Sequence, residues 1–119
     1  MLMREIKFRG KSTVFGKGWR YGYLTVAVGG KGNWFKITNP NAPNCYDPEV
    51  DPETVGEFTG FKDVDGKEIY EGDILEYQGE LKTRGVVTDI RNFVYRNIAY
   101  QFKVIGNIHD NPELLEVEK

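Results

Sequence analysis

Apolar and polar residues alternate along much of this chain with a period of two, and few stretches carry the 3.6-residue period of a helix. Glu5-Ile6-Lys7-Phe8-Arg9 alternates cleanly and predicts a half-buried strand. From Trp19 to Val28 the apolar positions run first on odd numbers (Trp19, Tyr21, Tyr23), then on even ones (Leu24, Val26, Val28). That step predicts a long strand with a bulge near Tyr23-Leu24. Gly29-Gly30-Lys31-Gly32 predicts a hairpin turn, with Trp34 to Thr38 as the returning strand. Further on, strands are expected at Thr54 to Phe58, Phe61 to Val64, Lys67 to Tyr70, Ile74 to Tyr77, Thr83 to Ile90 and Ala99 to Ile108. Asp65-Gly66, Glu71-Gly72-Asp73 and Gly79-Glu80 supply turns between them. Asn111-Pro112-Glu113-Leu114-Leu115 fits one short helical turn with proline at its first position. Many short strands separated by glycine turns predict an all-β fold, a small barrel or sandwich.

Organisation follows from composition. Four of the five prolines (Pro40, Pro43, Pro48 and Pro52) fall between Asn39 and Pro52, among Asn and Asp residues. This places an N-terminal β subdomain over 1–46, a proline-rich linking loop at 47–53 and a second β subdomain over 54–119. The charge changes sign at the same point. Residues 1–46 carry eight Lys and Arg against one acid, and residues 47–119 carry eight against seventeen, within a net charge of −2. Such polarity fits either a polar partner or head-to-tail self-contact, or else it is cancelled by interleaving of the halves on folding.

Aromatic residues are 13% of the chain and charged residues 29%, a globular balance with enough ring area for a core. The single cysteine, Cys45, cannot form an internal disulfide, and no apolar run of about 20 residues is present to span a bilayer. The N-terminal segment has no apolar stretch of the signal-peptide kind. A cytoplasmic protein without membrane contact is expected.

A catalytic or metal site is not expected. His109, the only histidine, stands next to Asp110, and nothing in the spacing brings Cys45 to it as a nucleophile. The acids Asp63, Asp65, Glu68, Glu71 and Asp73 fail the calcium-loop pattern, because with Gly66 at its sixth position Phe61 and Gly72 occupy the outer ligand positions. Turn chemistry accounts for them better. Asp73 with Glu80-Leu81-Lys82 matches a magnesium-nuclease triplet only superficially, and Gly29 to Gly32 lacks the spacing of a phosphate loop. No cofactor is expected. One constellation stands above background: Arg9, Lys17, Trp19, Arg20, Tyr21, Lys31 and Trp34, with Tyr23, combine cations and rings on neighbouring strands. Rings that stack bases beside cations that hold phosphates would bind single-stranded nucleic acid. The same residues equally describe a ring-packed core with a solvated basic face.

The segment Thr54-Val55-Gly56-Glu57-Phe58-Thr59-Gly60-Phe61-Lys62-Asp63-Val64-Asp65-Gly66-Lys67-Glu68-Ile69-Tyr70-Glu71-Gly72-Asp73-Ile74 resembles the signature of the YopX family. Met3-Arg4-Glu5-Ile6-Lys7-Phe8-Arg9, Trp19-Arg20-Tyr21-Gly22-Tyr23-Leu24 and the ending Val104 to Leu115 are similar to that family in the same order. The resemblance implies a protein of a phage or prophage of Gram-positive bacteria, with an SH3-like β-barrel in its C-terminal part. It implies no mechanism and no functional residues. The expected role is therefore a non-catalytic module that binds a host or phage protein or assembles as a homo-oligomer, the alternative being a nucleic-acid-binding accessory protein.

Overall fold

The computed structural model describes residues 5–13, 18–29, 32–39, 49–88 and 96–115. The chain is mainly β, with antiparallel pairing throughout and short 3-10 turns. It divides into two compact units, one over Glu5–Glu57 and one beginning at Phe58.

In the first unit, β1 (Phe8–Lys11) pairs with the start of β2 (Trp19–Gly29), and the rest of β2 pairs with β3 (Gly32–Thr38). The expected bulge at Tyr23-Leu24 is absent: both registers run without a shift. The break falls one residue earlier, at Gly22, where φ is +153° and a Cβ would sit 2.0 Å from the Thr38 carbonyl oxygen. Only glycine takes that backbone angle beside another strand without strain. At this point β2 leaves β1 and takes β3 as its partner.

A two-residue strand, β4 (Glu49–Val50), lies along β3 at Phe35 and Lys36, and Val50 is also bridged to Ser12. The circuit of pairings from β1 through β4 thus returns to the end of β1 by one bridge. Val50 is fully buried, and its methyls press against Gly10 so closely that a Cβ there would meet them at 2.9 Å. Where a strand was expected to begin at Thr54, Pro52–Thr54 form a 3-10 turn. The Asp51 carboxylate accepts from the Glu53 amide and proline occupies the first position, an N-cap arrangement that overrides strand propensity. Thr54 Oγ1 then accepts from the Lys11 amide at 2.8 Å and ties the turn to β1.

β5 (Gly56–Lys62) begins in the first unit, pairing Gly56 and Glu57 with β1, and continues in the second. There it pairs with β6 (Glu68–Tyr70) across a register shift. The central strand β7 (Asp73–Tyr77) has β8 (Arg84–Val86) on one side and β9 (Phe102–Asn107) on the other. The last strand is shorter than its apolar pattern suggests, because Arg96–Gln101 coil into 3-10 turns before it. The expected helical turn is present as a 3-10 turn over Pro112–Leu115. Among the described residues the sheet β8-β7-β9 is open, with no pairing that joins β8 to β9. The core of this unit is Ile69, Leu75, Val87, Ala99, Phe102 and Val104, with the Tyr77 ring tilted against Phe102 at 5.5 Å. Among the described residues no helix is long and apolar enough to cross a membrane.

Candidate functional site

The basic and aromatic residues are divided by the geometry of β1 and β2. Directly opposed residues of an antiparallel pair share one face of the sheet, and neighbours along a strand alternate. The register opposes Arg9 to Tyr21 and Lys11 to Trp19, so these four share a face. Arg20 is opposed to Gly10 on the other face, where its Nε is buried with no hydrogen-bond partner among the described residues. Trp34 stands opposite Ala27, eight residues along β2 from Trp19, and is half-buried. Lys17 and Lys31 lie outside the described residues, as does Cys45.

Arg9 is only 4% exposed, and its guanidinium carbon stands 4.8 Å from the centre of the Trp19 ring. A cation over the negative face of an indole, shielded from water, is a stabilising contact in its own right. Arg9 is therefore packed against a ring rather than turned to solvent. Tyr21 is 47% exposed.

Beyond Gly22 the surface becomes apolar instead of basic. Tyr23 is 55% exposed, Val26 46% and Val28 81%, on a strand segment, Tyr23 to Gly29, without one charged residue. The sequence pattern marked Leu24, Val26 and Val28 as one face but did not mark Val26 and Val28 as exposed. The signal that could have found them is the uncharged run itself, which is unusual in a strand with a single neighbour.

The acids of the central segment hold turns, as their spacing suggests. Asp63 is buried; its Oδ1 accepts from the Asp65 and Lys67 amides at 2.9 and 2.8 Å, and its Oδ2 accepts from the Val104 amide on β9 at 2.9 Å. Asp73, also buried, accepts from the Tyr70 amide at 2.7 Å. Gly66 and Gly72 take φ of +83° and +93° in these turns. His109 sits in the turn after β9, where its amide and that of Asp110 both donate to the Asn107 side-chain oxygen at 2.9 Å. Among the described residues no three His, Cys, Asp or Glu side chains cluster as a metal site would need. A shallow, open hollow of ≈ 240 Å³ is lined, among the described residues, by Tyr77, Gln78, Gly79 and Gln101, none of them charged.

The model of the YopX family matches residues 7–116, which takes in both units and every turn just described. The chain belongs to the YopX family. The stretch that carries the YopX signature is the one whose carboxylates and glycines build the turns at Gly66 and Gly72. A crystal structure of protein EF1440 from Enterococcus faecalis is similar over 96% of this chain and 100% of that one, at 24% identity and a TM-score of 0.48. No curated protein matches the sequence.

Proposed function

We propose that this YopX-family chain is a non-catalytic binding and assembly module, of phage or prophage origin and acting in the bacterial cytoplasm. The observation that carries the reading is the uncharged strand segment Tyr23 to Gly29, on which Tyr23, Val26 and Val28 are exposed. Exposed apolar surface set among polar residues marks contact sites for proteins. Support comes also from the carboxylates: Asp63 and Asp73, buried among the described residues, accept from backbone amides. The SH3-like barrel is part of the same proposal: strands β5 to β9 are short and joined by tight turns at Gly66 and Gly72, as such a barrel requires.

The nucleic-acid reading draws on Tyr21 and Tyr23, whose exposed rings could stack bases, with Lys11 on the same face as Tyr21. It is weakened by Arg9 lying under Trp19 and by Arg20 facing the other way. Capture of the tagged full chain from cells that carry the phage, with and without nuclease, separates the two. Protein partners retained after nuclease and lost in Val28→Lys are the expected result. Partners released by nuclease would move the assignment to nucleic acid.

A further inference from the structure

Resting on the reading of this chain as an assembly module, we propose that the outer edge of β2 from Leu24 to Val28 pairs antiparallel with the same edge of a second copy of the chain, forming a two-fold dimer. Among the described residues, Trp19 to Gly22 pair with β1, whereas Tyr23 to Gly29 pair with β3 alone. An antiparallel strand with one neighbour points the N–H and C=O of every second residue away from it, ready for another strand. Natural sheets protect such edges with lysines, prolines or bulges. Tyr23-Leu24-Thr25-Val26-Ala27-Val28-Gly29 contains no charge and no proline, and its register with β3 carries no shift. The segment is rich in the β-branched and aromatic residues that strands favour, and Val28 is 81% exposed.

A second copy fits this edge because the segment is complementary to itself. About a two-fold axis at Val26, the register sets Val26 against the partner's Val26, Leu24 against the partner's Val28 and Thr25 against the partner's Ala27. β-branched residues then meet aliphatic ones and no charge is opposed or desolvated. The Glu5–Glu57 unit holds seven Lys and Arg against six Asp and Glu, so two copies approach without strong mutual repulsion. A contact of five residues per chain is smaller than a standard interface, which places the dissociation constant in the micromolar range, on the order of 1–100 μM.

Sedimentation velocity on the full chain from about 1 to 300 μM tests this directly. The expected result is a monomer–dimer equilibrium that changes little between about 50 and 500 mM salt, since no ion pair holds the edge. Val26→Lys and Val26→Glu should each weaken association at least about tenfold, because like charges meet at the axis, and an equimolar mixture of the two should restore it. Val28→Lys, at a site open to solvent, should also weaken it, with circular dichroism confirming that each variant is folded. A chain that stays monomeric, a dimer indifferent to these substitutions, or a mixture that fails to restore pairing would overturn the proposal. A monomer that still holds a nuclease-resistant protein partner would sink self-pairing and leave the binding-module reading intact.

Discussion

Asp63 shows how much structure one buried carboxylate can carry. Its two oxygens take three backbone amides, two from the Asp65-Gly66 turn and one from β9. Hydrogen bonds to a charged acceptor are stronger than neutral ones, and their loss leaves buried N–H groups unpaired. Asp63→Ala is expected to destabilise the chain by about 3 kcal/mol, a fall of roughly 10 °C in Tm for a chain of this size. Asp63→Asn keeps the shape but turns an amide NH2 toward a donor, and should be only partly better tolerated. Thermal unfolding of both variants measures this, and a loss below 1 °C in Asp63→Ala would refute the keystone role. Trp19 poses the complementary question of whether a ring serves packing or recognition. With Arg9 beneath it at 4.8 Å, Trp19→Ala should lower stability by about 1–2 kcal/mol and Trp19→Phe by less. Unchanged Tm in Trp19→Ala would instead identify the ring as a surface for ligands.

The same question at the level of elements concerns β2. Its eleven residues serve two partners in succession, and the change is made at Gly22. A methyl group there would lie 2.0 Å from the Thr38 carbonyl oxygen, so strand and neighbour must part. Gly22→Ala is expected to cost about 3 kcal/mol or more and to disturb β3 as well as β2, read as lost stability in denaturant and lost amide protection in both strands. The antiparallel pairing of β2 with β3, the Asp65-Gly66 and Gly72-Asp73 turns and the Pro112 turn were legible, because each depends on residues a few positions apart, while Gly30 and Lys31 lie outside the described residues. Two strand starts were not. Thr54 is held in a 3-10 turn by Asp51 and Pro52, and Ala99 to Gln101 are held in another, since caps and turn bonds outweigh strand propensity over such short spans. The odd-to-even step in the apolar positions of β2 is not a bulge: the register with β3 runs without a shift, and Tyr23, Thr25, Val26 and Val28 are all exposed. The candidate site was legible as a list of residue types only. Which face each residue takes depends on the β1–β2 register, and that register sends Arg9 inward under Trp19 and Arg20 to the opposite side.

Across the whole molecule, charge and packing are distributed differently from the sequence's apparent halves. The Glu5–Glu57 unit takes in five acids between Asp47 and Glu57, leaving seven bases against six acids, while the remainder has nine against twelve. A strong basic pole to steer a polyanion is therefore lacking. Apolar burial is uneven. From Phe58 onward a contiguous cluster of six buried residues surrounds β7, whereas the described part of the first unit buries Ile37 and Val50 with Arg9 and Thr54. Local stability follows local burial, so opening should be easiest where few apolar contacts back the backbone bonds. In native-state hydrogen exchange at concentrations too low for self-pairing, the amides of Leu75 and Val104 should exchange only through global unfolding. The amides of Thr25 to Val28 should exchange through local opening at least about 100-fold faster, a difference of about 2.7 kcal/mol. Raising the concentration should slow the amides of this segment that point away from β3 if the edge is paired, because dimerisation covers β2 without adding to the core around β7. Uniform protection across both regions at low concentration would show that the small set of buried side chains in the first unit is as stabilising as the larger cluster, against what their burial predicts.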